Sequence, residues 1–93
     1  MKTLIKNAII INENTLFQGD LLIEGERIAQ IGSHITPKGN YEVIEAEGKY
    51  LLPGVIDDQV HFREPGLTHK ATIATESRAA VAGGVTTFFE QPN

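Results

Sequence analysis

A dense polar cluster lies between Asp57 and Gly66, in the run DDQVHFREPG. Imidazole is a common ligand for zinc and other transition metals, so His61 could hold a metal ion. Arg63 carries a permanent positive charge and can bind a carboxylate through two parallel hydrogen bonds. A metal ligand two residues before a carboxylate-binding arginine would suit a negatively charged substrate.

The alternating positions of the cluster predict a shared side of one strand. In extended backbone, residues two apart face the same side. This rule groups four residues: Asp57, Gln59, His61 and Arg63. A plain surface loop explains the same residues, because Arg63 and Glu64 alone could form a solvated ion pair of little energetic value. Residue types alone leave both interpretations open, and we assign His34 and His69 to surface or hydrogen-bonded histidines.

Composition narrows the classes of partner. The chain has 93 residues, 41% hydrophobic and 22% charged, with a net charge of −4. Nucleic acids and anionic membranes bind basic patches, so neither is an expected partner. No apolar run approaches the roughly 20 residues that span a bilayer. The absence of cysteine excludes disulfides and thiolate metal sites. We therefore expect a cytoplasmic protein.

Short strands with tight turns are predicted for residues 1–53. The runs TLIKNAIII and DLLIEGERIAQIG are rich in Ile and Leu and are broken by turn residues. Glu24–Arg27 gives the strongest hairpin signal, because Gly25 takes positive φ at little steric cost. Asn12–Thr15 predicts a second turn, and two more strands flank Glu47-Gly48. This pattern favours a small β-sandwich or barrel.

The remaining residues, 54–93, predict a strand, a loop, a helix and a second strand of a parallel sheet. The helix should span Thr72–Ala82 and stop at Gly83-Gly84. Carboxyl ends of parallel strands meet at one edge, which would bring DDQVHFR and EQPN together. One such unit cannot cover both faces of a parallel sheet. We therefore expect the 93 residues to be the N-terminal part of a larger protein.

The run PGVIDDQVHFREPG, Pro53–Gly66, resembles the signature of dihydroorotases in the amidohydrolase superfamily, approximately P-G-x-I-D-x-H-V-H-x-R-E-P-G. AAVAGGVTT, Ala79–Thr87, and the closing QPN extend the resemblance, as does the opening of the chain. The resemblance implies an α/β fold, a metal-dependent hydrolase (β/α)8 barrel preceded by a small β-sandwich-like domain. Residues 1–53 would be the N-terminal share of the β-domain, and residues 54–93 the first strand, helix and second strand of the barrel.

The same resemblance implies a reaction and roles for particular residues. The reaction is the reversible zinc-dependent cyclisation of N-carbamoyl-L-aspartate to (S)-dihydroorotate in pyrimidine biosynthesis, with one or two zinc ions. His61 would be a metal ligand, Arg63 and Asn93 would bind the substrate carboxylate, and Asp57 would have a supporting role. The general base and the other ligands are expected beyond residue 93.

Gln59 departs from the family pattern, because it stands where the first histidine is expected. A neutral amide oxygen suits zinc less well than imidazole does. We therefore expect Gln59 to be a weak metal ligand, or to touch a ligand rather than the metal. With so few ligands, the isolated 93 residues are expected to be inactive.

Two alternative functions and the oligomeric state stay open. A hydantoinase- or allantoinase-like cyclic amidohydrolase is disfavoured by Arg63 with Asn93, which suit a carboxylated substrate. A catalytically silent homologue acting as an assembly module is favoured by Gln59. The sequence is compatible with a homo-oligomer.

Overall fold

The computed structural model describes residues 1–92, and contacts within the chain divide it into two units. The first unit spans Met1–Pro53, and the second begins at Gly54. The chain is mixed α/β with mostly strands. No helix among the described residues has both the length and the apolar character needed to cross a membrane. The assignment of the two units to a β-domain and a barrel stays a prediction.

The first unit is one five-stranded sheet. Its strands are β1 (Lys2–Asn12), β2 (Thr15–Glu24), β3 (Arg27–Gly32), β4 (Glu42–Glu45) and β5 (Tyr50–Leu51). The order is β3-β2-β1-β4, and β5 also pairs with β1. The first three strands form an antiparallel meander, while β4 and β5 both run parallel to β1. Strand β1 therefore has partners on both of its edges.

Both predicted turns of the meander are confirmed. Strands β1 and β2 are joined by Glu13 and Asn14, with φ of 48° and 63°. Two successive left-handed residues are typical of the two-residue hairpin turn whose twist matches that of the strands. Gly25 takes a φ of 61° in the turn between β2 and β3.

The strands of residues 1–53 form one sheet, so the second sheet of the predicted sandwich is not seen among them. Two strands do flank Glu47-Gly48, as expected, but they do not start a second sheet. Instead, β4 pairs with Thr3–Lys6 and β5 pairs with Ile9 and Ile10, along the same strand β1. The amide of Lys49 donates to the carbonyl of Ala46 between them. The chain thus turns and continues along one strand, which extends a single sheet.

The core of the first unit consists of two small apolar clusters. Leu4, Leu22 and Ile35 form one cluster, and Leu4 lies directly opposite Leu22 across the β1–β2 pair. Ala8, Ile10 and Ala46 form the other. A register shift in β1 between Ile5 and Ala8 lies between the two clusters along the strand.

The buried carboxylate of Asp20 holds this irregular part of the sheet together. Its Oδ1 accepts from the amide of Asn7 at 2.9 Å, and its Oδ2 accepts from the amide of Ile35 at 3.0 Å. Burial acts to raise the pKa of Asp20, but these two hydrogen bonds favour the charged form. His34 and Lys6 add favourable charge, and the pKa of Asp20 is held below its usual value.

The second unit consists of β6 (Val55–Val60), α1 (Ile73–Ala82) and β7 (Val85–Glu90). Strands β6 and β7 are parallel, so the predicted strand-helix-strand unit is confirmed. Thr72 caps the start of the helix, and Gly84 takes a φ of 93° after its end. Val55 and Ile56 of β6 are 56% and 65% exposed. This exposure is consistent with the expectation that one strand-helix-strand unit cannot cover both faces of a parallel sheet.

Replacing Asp20 with asparagine should destabilise the first unit. Asparagine keeps one acceptor oxygen but places an amide donor against a buried backbone donor. Leaving such a group unsatisfied costs about 1–3 kcal/mol of unfolding free energy. A urea titration of the purified protein measures this, with Glu26→Gln as a control that removes one exposed charge. Equal midpoints for Asp20→Asn and Glu26→Gln would contradict the structural role.

The Asp20 contribution should also depend on pH. A carboxyl whose pKa is lowered on folding stabilises the folded state above its unfolded pKa of about 3.9. That stability is lost as the pH falls through the lower folded pKa. The difference in unfolding free energy between wild type and Asp20→Asn should therefore be constant near neutrality and shrink below about pH 4. Paired urea titrations from pH 7 to pH 3 measure this difference. A difference in unfolding free energy that grows as the pH falls would contradict the prediction.

Candidate active site

Parallel pairing brings the carboxyl ends of β6 and β7 to one edge of the sheet. Val60 lies opposite Glu90 in the register. The amide of Gln91 donates to the carbonyl of Val60 at 2.7 Å, just beyond the last strand pair. The side chains that follow β6 therefore start from a backbone that is fixed against the end of β7. His61 is the first of these residues and is exposed.

An irregularity in β6 separates Asp57 from Gln59. The register shifts between Asp57 and Val60, where three steps on β6 match two on β7. The half-buried Asp57 accepts from the amide of Gln59 through Oδ1 at 3.2 Å. This local hydrogen bond satisfies a backbone donor at the irregularity, in the way that aspartate commonly does in turns. Gln59 itself is exposed.

Phe62 is fixed to β7 through both its backbone and its side chain. Its amide donates to Oε2 of Glu90 at 2.9 Å. Its ring lies against Phe88, with ring centroids 4.6 Å apart and planes inclined at 54°. Tilted aromatic pairs at this distance are favourable. The peptide that joins His61 to Phe62 is therefore held from one side by Glu90.

Arg63 adopts a left-handed backbone, with a φ of 71°. The amide of Leu67 donates to its carbonyl at 2.9 Å, which closes a turn immediately after it. The expected alternation of side chains consequently does not reach Arg63, because extended geometry ends at Val60 and a residue with positive φ redirects the chain. The shared-face prediction holds only for extended backbone, so it does not apply to Arg63.

Glu64 ties the loop to the start of α1. Its Oε1 accepts from the amide of Ile73, the first residue of the helix, at 2.9 Å. Thr72 and Thr75 form a capping box, with hydrogen bonds of 3.1 and 3.0 Å between their side chains and amides. Three amides of the first turn thus have acceptors, and the acidic side chain lies at the end of the helix that favours negative charge.

Residues 1–92 do not form a complete metal site. No three side chains among histidines, aspartates and glutamates of this part of the chain converge as metal ligands. His61 offers one exposed imidazole and Gln59 one exposed amide. A catalytic zinc usually takes three protein ligands. These two donors are compatible with part of a zinc site.

Of the other predicted residues, Asn93 lies outside the described residues. His34 and His69 are exposed, as expected. The segment EQPN was expected beside DDQVHFR, but no role was predicted for Glu90, because an acidic residue at the end of a strand is usually solvated. Its half-buried position and its bond to Phe62 depend on a pairing partner 28 residues away.

Known proteins match nearly the whole chain. The family model described as dihydro-orotase-like matches residues 48–93. A dihydroorotase from Wolbachia sp. subsp. Brugia malayi (strain TRS) is 48% identical over 93 residues, and the match covers 94% of this chain. A dihydroorotase from Enterococcus faecalis (strain ATCC 700802 / V583) is 47% identical over 94 residues, and the match covers 100% of this chain. The resemblance to the N-terminal portion of dihydroorotases is confirmed.

The chain spans about a fifth of these relatives, 21% and 22% of their lengths. A solved structure shares the fold as well. The dihydropyrimidinase from Brevibacillus agri NCHU1002 superposes with a TM-score of 0.85 at 38% identity, over 95% of this chain and 19% of that one. The fold of these residues is thus similar to that of the matching part of the dihydropyrimidinase.

The hydrogen bond from the Ile73 amide to Glu64 should stabilise the start of α1. Glu64→Ala should expose the Ile73 amide and lower the unfolding free energy by about 0.5–1.5 kcal/mol. Glu64→Gln is the control, since it keeps an acceptor oxygen at the same reach. Amide hydrogen exchange followed by NMR reports on Ile73 directly. Unchanged exchange at Ile73 in Glu64→Ala would show that the bond does not stabilise the helix start.

Proposed function

We propose that these residues belong to a cyclic amidohydrolase that interconverts N-carbamoyl-L-aspartate and (S)-dihydroorotate in pyrimidine biosynthesis. The observation that carries the proposal is the high identity to curated dihydroorotases across nearly the whole chain, including the strand-end cluster. In this proposal residues 54–93 begin a (β/α)8 barrel. Active sites of such barrels lie at the carboxyl ends of the strands, where residues 57–64 stand. Residues 1–53 would contribute to a small β-domain.

Arg63 is the proposed substrate-binding residue. A guanidinium presents a planar pair of donors that matches a carboxylate, and both N-carbamoyl-L-aspartate and dihydroorotate carry a carboxylate that takes no part in ring closure. Asn93 would add a second polar contact to the same carboxylate. Holding this group would place the ring amide at a set position relative to His61, which favours reaction through orientation.

Zinc, as one or two ions, belongs to the same proposal. His61 would supply one imidazole ligand, and Gln59 would be a weak ligand or would touch a ligand. The remaining ligands and the general base would come from residues outside this sequence. Bound zinc would polarise the ring carbonyl and lower the pKa of a water molecule. We also propose a cytoplasmic location.

A hydantoinase- or dihydropyrimidinase-like activity is the second candidate. The close structural similarity to a dihydropyrimidinase favours it. Hydantoins and dihydropyrimidines without a carboxylate would not offer the guanidinium of Arg63 a bidentate contact. A silent homologue that only assembles with other chains is the third candidate, and Gln59 favours it.

The deciding experiment compares substrates on the purified intact protein that contains residues 1–93. Initial rates would be measured with N-carbamoyl-L-aspartate, dihydroorotate, hydantoin, dihydrouracil and allantoin, with and without added zinc. Preference for the first two supports the dihydroorotase proposal. Preference for hydantoin, dihydrouracil or allantoin supports the second candidate, and no turnover of any compound supports the third.

Arg63→Lys should impair the use of carbamoyl-aspartate. Lysine keeps the charge and the same backbone cost at positive φ but loses the two-pronged donor. Losing one charge-assisted hydrogen bond of about 1.5–3 kcal/mol corresponds to about a ten- to hundredfold lower kcat/KM. Zinc content should not change. Arg78→Lys, an exposed arginine of α1, is the matched control, and equal kinetics for the two variants would exclude the role of Arg63.

Gln59→His should raise zinc affinity or stoichiometry in the intact protein, because imidazole nitrogen binds zinc better than a neutral amide oxygen does. His61→Ala should lower zinc content and abolish activity. Elemental analysis after dialysis against a weak chelator measures zinc per chain. Full and equal occupancy in wild type and Gln59→His would mean that glutamine costs nothing at this position.

A further inference from the structure

The two peptide groups that flank His61 are both anchored to the end of β7. On one side, the carbonyl of Val60 accepts from the amide of Gln91 at 2.7 Å. On the other side, the amide of Phe62 donates to Oε2 of Glu90 at 2.9 Å. The first contact is main chain to main chain and continues the ladder. The second depends on one side chain, so it is the contact that a substitution can remove.

The surroundings of Glu90 indicate a structural hydrogen bond rather than a solvated charge. The residue is half-buried, and its second oxygen, Oε1, is buried without a hydrogen-bond partner among the described residues. Placing a carboxylate in this way is costly unless the bond that it makes is needed. The ring of Phe62 packs on Phe88 beside it. Backbone and side chain of Phe62 therefore act together to fix one position.

Arg63 follows this fixed position in a conformation that arginine seldom adopts. Left-handed backbone at a non-glycine residue costs on the order of 1–3 kcal/mol and persists where neighbouring contacts over-determine it. The contacts on either side of Arg63 include the Glu90 bond to Phe62 and the Leu67 amide donating to the Arg63 carbonyl. Without the first contact, the backbone at Arg63 could relax to negative φ and carry the guanidinium elsewhere.

We propose that Glu90 is a positioning residue for the site. Its carboxylate oxygen holds the Phe62 amide and so fixes the backbone from which His61 and Arg63 project. The inference rests on the proposed function only for what those two side chains do. The placement of the chain by Glu90 is a separate claim with its own measurement.

Two conservative variants test separately the length and the charge of the Glu90 side chain. Glu90→Gln keeps the length and one acceptor oxygen but loses the charge. Glu90→Asp keeps the charge but is one methylene too short to reach the Phe62 amide from the same backbone. A positioning role requires the oxygen at full reach, so Gln should preserve function and Asp should not. An acid, base or ion-pair role would require the opposite order.

The experiment uses the intact protein and two readouts. Amide hydrogen exchange by NMR should be near wild type at Phe62 in Glu90→Gln and about tenfold faster in Glu90→Asp, from the loss of one hydrogen bond. Steady-state kinetics with N-carbamoyl-L-aspartate should show a similar rise in KM for Glu90→Asp, with a smaller change in kcat. Glu26→Asp, in an exposed turn of the first unit, is the control.

Each outcome separates this claim from the proposed function. Unchanged Phe62 exchange in Glu90→Asp, or loss of activity in Glu90→Gln with normal exchange, overturns the positioning role. If wild type is active, the role is supported by faster Phe62 exchange in Glu90→Asp together with normal exchange and retained activity in Glu90→Gln. If wild type turns over no carbamoyl-aspartate, the same exchange pattern still supports the placement of the chain by Glu90, and the missing turnover rejects only the proposed reaction.

Discussion

The parallel pairing of β6 with β7 is the constraint on which the candidate site depends. It ends at one edge, where backbone donors and acceptors leave the ladder and still need partners. Asp57 and Glu90 accept from backbone amides near the strand end, and Glu64 accepts from the first amide of α1. The density of acidic residues around the strand end is therefore explained largely by main-chain hydrogen bonding. His61 and Arg63 project from the backbone that these bonds hold.

The parts of the fold that were predictable from sequence are those set by neighbours along the chain. The turns at Asn12–Thr15 and Glu24–Arg27, and the helix that begins after Thr72, follow from local backbone preferences and capping. The parallel direction of β6 and β7 follows from the helix between them. The placement of β4 and β5 could not be predicted in this way, because no local sequence signal distinguishes a second sheet from a continuation along β1.

The site was predictable in its residues but not in its geometry. The motif marked His61 and Arg63, and the strand-end position follows from the strand-helix-strand pattern. The left-handed backbone at Arg63 and the irregularity before Val60 could not be read from alternation, because both depend on hydrogen bonds to β7 or within the loop. No role was predicted for Glu90 for the same reason, because its hydrogen-bond partner Phe62 lies 28 residues away in sequence.

The two units differ in how far apart along the chain their paired strands lie. The meander of the first unit joins strands through two-residue turns. Pairing of β6 with β7 must instead close a loop over residues 61–84, which contains α1. Closing a longer loop costs more conformational entropy and slows folding. The edge that carries His61 would thus become ordered after the meander during folding.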